Sequence, residues 1–296
     1  MTYSLEIEPM KVQTGAKLLP GSRIAFHGDV AAFADRIRLS AGTRSPPGDV
    51  PGYVKDAFVP SEPWRQPSDR ELGLLRMDQH TWRQSNDVAI VRIADALVEP
   101  FVAMLESRGL REAADPKTYE TIATHPDWSA NLERLAAHLE RMCGKQLASI
   151  FFRIAEPDRF TLTKDEFSSD GRQLVGMHLD SWDGLPMRHR GRSRNRLCIN
   201  FGREPRYSLF CNLSLMEMFH AIGLRDPEDI YADFRGLYMG HRFMAAMPDY
   251  PIVRLRIDPG EAYILPTDNL IHDASTEGNR YPDITLTYLG LFAPAE

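Results

Sequence analysis

The sequence predicts an α+β protein in which a helical, loop-rich N-terminal region (residues 1–145) packs as a supporting layer on a C-terminal jelly roll (residues 146–296), the two forming one folding unit. Three observations predict it. Helical periodicity and capping signals dominate before Lys145. Eight or nine short β-type runs separated by turn residues follow it. No repeat of fixed period and no low-complexity tract interrupts either part. With 296 residues, 43% hydrophobic and 26% charged, the chain has an ordinary globular composition, which excludes disordered and fibrous classes.

In order along the chain, Asp29 stands where it caps a helix from Val30 to about Leu39. A proline-rich stretch from residue 44 to 67 reads as irregular. Ser68-Asp-Arg-Glu71 has the form of a capping box, and apolar residues from Val88 through Val91, Ile93, Leu97, Phe101, Met104 and Leu105 read as a long helical pattern. Asp127 heads a third helix with the stripe Leu132, Leu135, Leu139 and Met142, which Gly144 ends. The β-type runs are 147–154, 160–163, 174–178, 197–201, 207–213, 252–257, 262–265, 270–272 and 284–292, with a helical insert at about 227–238.

A net charge of −6 argues against a nucleic-acid partner. The first ten residues lack the pattern of a signal peptide and no apolar run reaches the ~18 residues of a membrane span, so a cytoplasmic protein with no membrane partner is expected. The three cysteines, Cys143, Cys198 and Cys211, are far apart and form no CxxC, so neither a zinc knuckle nor a disulfide framework is indicated.

Roughly one His-x-Asp/Glu triplet is expected by chance at this composition, and three with Asp are present. In His27-Gly-Asp29 and His125-Pro-Asp127 the aspartate directly precedes a helical pattern, which capping explains. His178-Leu-Asp180 instead ends a β-type run, where residues i and i+2 share a face. An imidazole and a carboxylate projecting together into a β-roll are costly unless paired with each other or metal-bound. Farther along, Pro259-Gly-Glu leads into an apolar strand, a Pro-Thr-Asp-Asn turn follows, and a second strand delivers His272. Two histidines and one carboxylate make a facial set that suits non-haem Fe(II), leaving positions open for substrate and O2.

With these residues in that order, the chain from about 146 to 294 resembles the Fe(II)/2-oxoglutarate-dependent oxygenase superfamily with its double-stranded β-helix core. The resemblance implies His178, Asp180 and His272 as both iron ligands and catalytic residues, and Arg280, eight residues past His272, as the basic residue for the distal carboxylate of 2-oxoglutarate. Thr285 or Thr287 would add a hydroxyl contact to that carboxylate. Asp at position 180 resembles the hydroxylases of the family, not the halogenases. The activity implied is oxidation at a substrate C–H coupled to conversion of 2-oxoglutarate and O2 to succinate and CO2.

Arg196 and Asn200 share a strand face with Cys198 and are candidate contacts to 2-oxoglutarate or substrate. Trp182 lies at the mouth of the roll, as packing or as a wall of the substrate pocket. The alternating arginines 188, 190, 192, 194 and 196 form either a solvated basic loop or a lid for a substrate carboxylate, with Arg192 and Arg194 as substrate-binding candidates. The expected substrate is a small molecule bearing a carboxylate, such as an amino acid or a biosynthetic intermediate. Two other readings stand beside this one: a cupin-like metalloenzyme that does not use 2-oxoglutarate, whose usual His-x-His pair is missing, and a non-catalytic β-roll that binds a small molecule.

Overall fold

The computed structural model describes residues 17–46, 52–77, 81–113, 115–143, 147–165, 173–225 and 237–294. The chain runs β1 (Ile24–Ala25), α1 (Val30–Asp35), β2 (Ile37–Leu39), β3 (Thr43–Arg44), β4 (Tyr53–Pro60), α2 (Asp69–Leu75), β5 (Val88–Arg92) and α3 (Asp95–Ser107). Then come α4 (Pro116–Ala123), α5 (Pro126–Cys143), β6 (Ala148–Ala155), β7 (Leu174–Gly176), a 3-10 helix (Met187–Arg192), β8 (Asn195–Asn200) and β9 (Arg206–Ser214). The last third holds α6 (Leu215–Ala221), α7 (Leu237–Ala246), β10 (Val253–Ile257), β11 (Glu261–Leu265), β12 (Leu270–Ser275) and β13 (Asp283–Gly290).

The fold is mixed α+β with several sheets built mostly from antiparallel pairs. A six-stranded sheet has the order β1-β5-β11-β8-β13-β6, a four-stranded sheet the order β12-β9-β10-β2, and a small third sheet the order β3-β4-β7. Period-two alternation in the six-stranded sheet creates two separate cores. Ala89, Val91, Leu197, Ile199, Ala262, Ile264, Ile284 and Leu286 point one way, onto Phe101 and Leu105 of α3 and Leu135 and Leu139 of α5. Val88, Ile90, Cys198, Tyr263 and Leu265 point the other way, onto Leu209, Phe210, Val253 and Leu255 of the four-stranded sheet. The result is three layers: helices, large sheet, small sheet. Each of these buried aliphatic side chains contributes roughly 1.5–3 kcal/mol, so neither sheet can lose the layer it packs against.

Most expected strands of the C-terminal half are present within one or two residues of the bounds read from the sequence; the run 160–163 forms no named strand. In the first half the sequence reading fails in identifiable places. The run from Val88 is not one helix: Val88–Arg92 is a strand inserted between β1 and β11, and the helix starts only at Asp95. Its β-branched residues are buried on both faces, which a strand in the middle of a covered sheet permits. The helix after Asp29 stops at Asp35, because Ile37–Leu39 pairs with β10 at the edge of the four-stranded sheet. The stretch 44–67 is not irregular throughout, since Tyr53–Pro60 forms β4 between β3 and β7. The N-terminal region is therefore not only a helical layer; it supplies strands to all three sheets.

The capping signals fare better. Asp29 accepts from the Ala32 amide at 2.6 Å, and Ser68 and Glu71 form the expected reciprocal box. Asp127 lies in the first turn of α5, one residue inside the Pro126 start. Helices α4 and α6 were not expected. Gly144 and most of the expected helix at 227–238 lie outside the described residues. Among the described residues no helix is long and apolar enough to cross a membrane.

Candidate metal centre

The geometry of the centre begins at a glycine. Gly176 has φ of +74°, and a Cβ there would lie 2.4 Å from the Phe58 carbonyl oxygen, so the bend requires a residue without a side chain. This bend ends the pairing of β7 with β4 and delivers His178 to β12. His178 and His272 then exchange both backbone hydrogen bonds, at 3.0 and 2.8 Å, which sets the two imidazoles side by side with ring centroids 4.5 Å apart.

Each ring is fixed by a backbone carbonyl two residues earlier. His178 Nδ1 lies 2.7 Å from the Gly176 oxygen and His272 Nδ1 lies 3.2 Å from the Leu270 oxygen. A donor at Nδ1 leaves the lone pair on Nε2, the arrangement that orients metal-binding imidazoles generally. Both Nε2 atoms face Asp180: His178 Nε2 is 3.7 Å from Oδ1 and His272 Nε2 is 3.6 Å from Oδ2. One ligand atom from each of the three residues lies within 4.8 Å of the others, so this group can hold a metal ion.

The electrostatics agree with that use. Burial, helped by the neighbouring His178 and Arg196, pushes the His272 imidazole down to about 3, so it is neutral and available as a ligand. Burial opposes ionisation of Asp180, but Arg196 and the two histidines outweigh it and hold the carboxyl well below its ordinary value. For His178 burial pulls downward, while the nearby carboxylates of Asp180 and Asp273 leave a net rise. His272 Nε2 is buried and has no hydrogen-bond partner among the described residues. An orphaned buried lone pair facing an ionised carboxylate is satisfied by a cation, and this is the observation on which a metal fits.

The Asp180 segment is held from below. Its amide donates to the Thr267 carbonyl at 3.0 Å, and its carbonyl accepts from Arg190 at 2.9 Å. Arg190 is fully buried and pairs with Asp268 at 3.3 Å, while Asp268 accepts from the Trp182 and Asp183 amides at 2.9 and 3.1 Å. Asp268 thus ties the turn after Asp180 to the turn before β12.

Beside His272 a narrow cavity opens between the two sheets, lined by Arg153, Arg196, Arg206, Tyr263, Thr285 and Thr287 among others. Arg206, at the head of β9, is buried. Its Nε is 3.2 Å from Asp283, Nη1 donates to Cys198 Sγ at 2.8 Å, and the guanidinium lies 5.6 Å from the centre of the Tyr263 ring. Burial would lower its pKa, but Asp283 and Cys198 more than compensate, so it stays charged.

The expected site residues are distributed unequally. His178, Asp180 and His272 come together, with Arg196 against them, and Thr285 lines the cavity with Thr287. Arg280 does not reach it. Its side chain is 84% exposed, its Nε lies 3.8 Å from Glu204, and its amide donates to the same carboxylate at 2.6 Å. The three residues between Arg280 and Ile284 place it in the turn before β13, outside the inward-facing register. Asn200 is engaged at the strand end, donating to the Glu204 and Ile257 carbonyls and accepting from Gly202. Trp182 is 45% exposed, and its indole donates to Asp180 at 2.8 Å. Arg194 pairs with Asp183 at 2.6 Å, so its charge is already matched, whereas Arg192 is exposed on the 3-10 helix.

Sequence reasoning missed Arg206, Arg153 and Arg190. For Arg206 a signal exists: in Arg-Tyr-Ser-Leu-Phe210 it is in period with Ser208 and Phe210, and Phe210 lies opposite His272 in the register. Compared with models of known protein families and with curated protein sequences, the chain finds no match.

Proposed function

We propose that this chain is a non-haem Fe(II)- and 2-oxoglutarate-dependent oxygenase that oxidises a C–H bond of a small, carboxylate-bearing substrate. The observation that carries the reading is the convergence of a neutral buried imidazole, a second imidazole and an ionised carboxylate at the edge of an arginine-lined cavity. Two nitrogens and one oxygen on one side suit Fe(II) with further positions open. The strand order supports a double-stranded β-helix as the frame. Taken in sequence, β6, the His178 bridge, β8, β9, β10, β11, β12 and β13 fall in the large, small, large, small, small, large, small and large sheet. An eight-stranded jelly roll would alternate its strands between two sheets in that way, which supports the reading.

When bound, iron and 2-oxoglutarate would supply oxidative chemistry with O2, giving succinate, CO2 and an oxidised substrate. The chain's own part is to hold and to exclude. His178, Asp180 and His272 are the residues that would hold the metal. In this reading Arg206, which lines the cavity where Arg280 does not, would receive a carboxylate there, with Thr285 and Thr287 as hydroxyl partners. Asp283 and Tyr263 keep the Arg206 guanidinium oriented. Arg192, exposed beside the Asp183–Arg194 pair, remains the candidate for recognising a substrate carboxylate.

An anaerobic titration of metal-free protein with Fe(II), then 2-oxoglutarate, followed by visible absorption, tests this reading. A weak metal-to-ligand charge-transfer band that requires both additions and is lost in His178→Ala and in Arg206→Met is the expected result. Iron binding without a band on adding 2-oxoglutarate would favour the cupin-like alternative. Absence of metal binding would leave a non-catalytic small-molecule-binding roll.

A further inference from the structure

The two oxygens of Asp180 have different surroundings. Oδ2 accepts from Arg196 Nη2 at 2.6 Å and from Trp182 Nε1 at 2.8 Å. A carboxylate oxygen has two in-plane lone-pair directions, so two donors fill them. Each oxygen also faces one imidazole, Oδ1 the His178 Nε2 atom at 3.7 Å and Oδ2 the His272 Nε2 atom at 3.6 Å, so the two hydrogen bonds to Oδ2 are what distinguish them. The donors to Oδ2 also fix each other. The Arg196 guanidinium lies 5.6 Å from the Phe151 ring centre and 5.6 Å from the Trp182 ring centre, between two aromatic faces. Trp182 in turn is anchored through its amide to Asp268.

We propose that Arg196 and Trp182 are positioning residues that confine Asp180 to one ligating oxygen, Oδ1, and so keep a coordination position open for the co-substrate or O2. The inference rests on the metal-binding part of the reading above and assigns both residues a role different from direct substrate contact. A carboxylate with both oxygens free can close on an ion with both. A carboxylate with one oxygen saturated by a guanidinium and an indole cannot do so without breaking two hydrogen bonds, one of them charge-assisted. Arg196 also lines the cavity beside His272.

The test counts metal-bound water. Mn(II) added to the metal-free protein without 2-oxoglutarate gives a water-proton relaxation enhancement that scales with the number of exchanging inner-sphere waters. Three protein donor atoms on a six-coordinate ion leave about three. Trp182→Phe, which keeps the ring and removes the N–H, and Arg196→Met should each allow the second oxygen to bind. The enhancement per bound ion should then fall by about one third, the loss of one water of about three. Arg196→Lys, which retains a donor, should stay closer to the native value. Unchanged enhancement in Trp182→Phe, Arg196→Met and the double variant, with Mn(II) still bound, overturns the inference and leaves the metal centre intact. Trp182 is half exposed, so its substitution carries the test even where Arg196→Met does not fold. If native protein shows no Mn(II) enhancement, or His178→Ala binds as well as native, the metal reading falls and this inference falls with it.

Discussion

The chain contains the same triplet in two settings. In His125-Pro-Asp127 and in His178-Leu-Asp180 the imidazole and carboxylate stand at the same closest distance, 3.7 Å. The first pair is 44% and 78% exposed; the second is 11% and 14% exposed. At the start of α5 the aspartate faces water, and His125 Nδ1 accepts from the Asp127 amide, an ordinary helix-entry arrangement. Between the sheets the same two groups have lost water and gained a second imidazole, His272, and an arginine. Motif and separation are equal, so neither distinguishes the candidate metal centre. Burial and the convergence of a distant strand do.

The largest effect that sharpens this contrast is on metal affinity. His178→Ala, Asp180→Asn and His272→Ala should each weaken Fe(II) or Co(II) binding by more than about 100-fold, since even second-sphere changes cost 10–100-fold. His125→Ala and Asp127→Asn should leave affinity unchanged. Equal losses in both sets, measured by titration, would break the comparison.

The same logic separates two arginines. Arg206→Met leaves Asp283 buried without its ion-pair partner and should cost about 3–5 kcal/mol in urea denaturation, as well as abolish the 2-oxoglutarate band. Arg280→Met removes a charge that is 84% exposed and should change stability by less than about 0.5 kcal/mol. A full band in Arg206→Met with loss in Arg280→Met would reverse the assignment.

Glu71 is about as buried as Asp180, with 11% of its side chain exposed, but is paired with a half-exposed arginine. Its hydrogen bond to Arg65 holds it down to about 2, against 4.5 in an unfolded chain. A depressed carboxyl contributes stability that is complete above pH 4.5 and is lost as pH falls from 4.5 towards 2. Arg65 is 46% exposed, so solvent screening limits the contribution to about 1 kcal/mol. Glu71→Gln should flatten that part of the acid limb in a pH series of denaturation midpoints, and an unaltered slope would show that the pair is not coupled to folding. The smallest effect is at the exposed triplet, where His125→Ala should move stability by no more than about 0.5 kcal/mol.

Much of the strand pattern is legible in the sequence. The C-terminal strands can be read because their side chains alternate or run apolar between turn residues, and the candidate cluster because His178 and Asp180 sit two apart on an extended segment. What was not legible depends on partners distant in sequence. Val88–Arg92 carries apolar residues at positions a helix would also use, and only its neighbours β1 and β11 decide for a strand. Arg190 looked like one member of a basic loop, yet Asp268, on the turn before β12, draws it fully inside. Arg206 was hidden because a buried charge at a strand head has no local signature, and its counter-ion Asp283 lies at the far end of the chain.

The paired hydrogen bonds between His178 and His272 have a consequence for how the protein assembles. These residues are 94 positions apart, and joining the ends of so long a segment costs about 4 kcal/mol of chain entropy. The candidate ligand set therefore comes together only when the segments carrying His178 and His272 have paired. An ion held there would act as a clasp on the finished topology, binding the native chain and not the open one. At 100 times its dissociation constant it would add about 2.7 kcal/mol to the stability of the closed form. Release of such an ion and loosening of the paired sheets should thus be two views of one equilibrium.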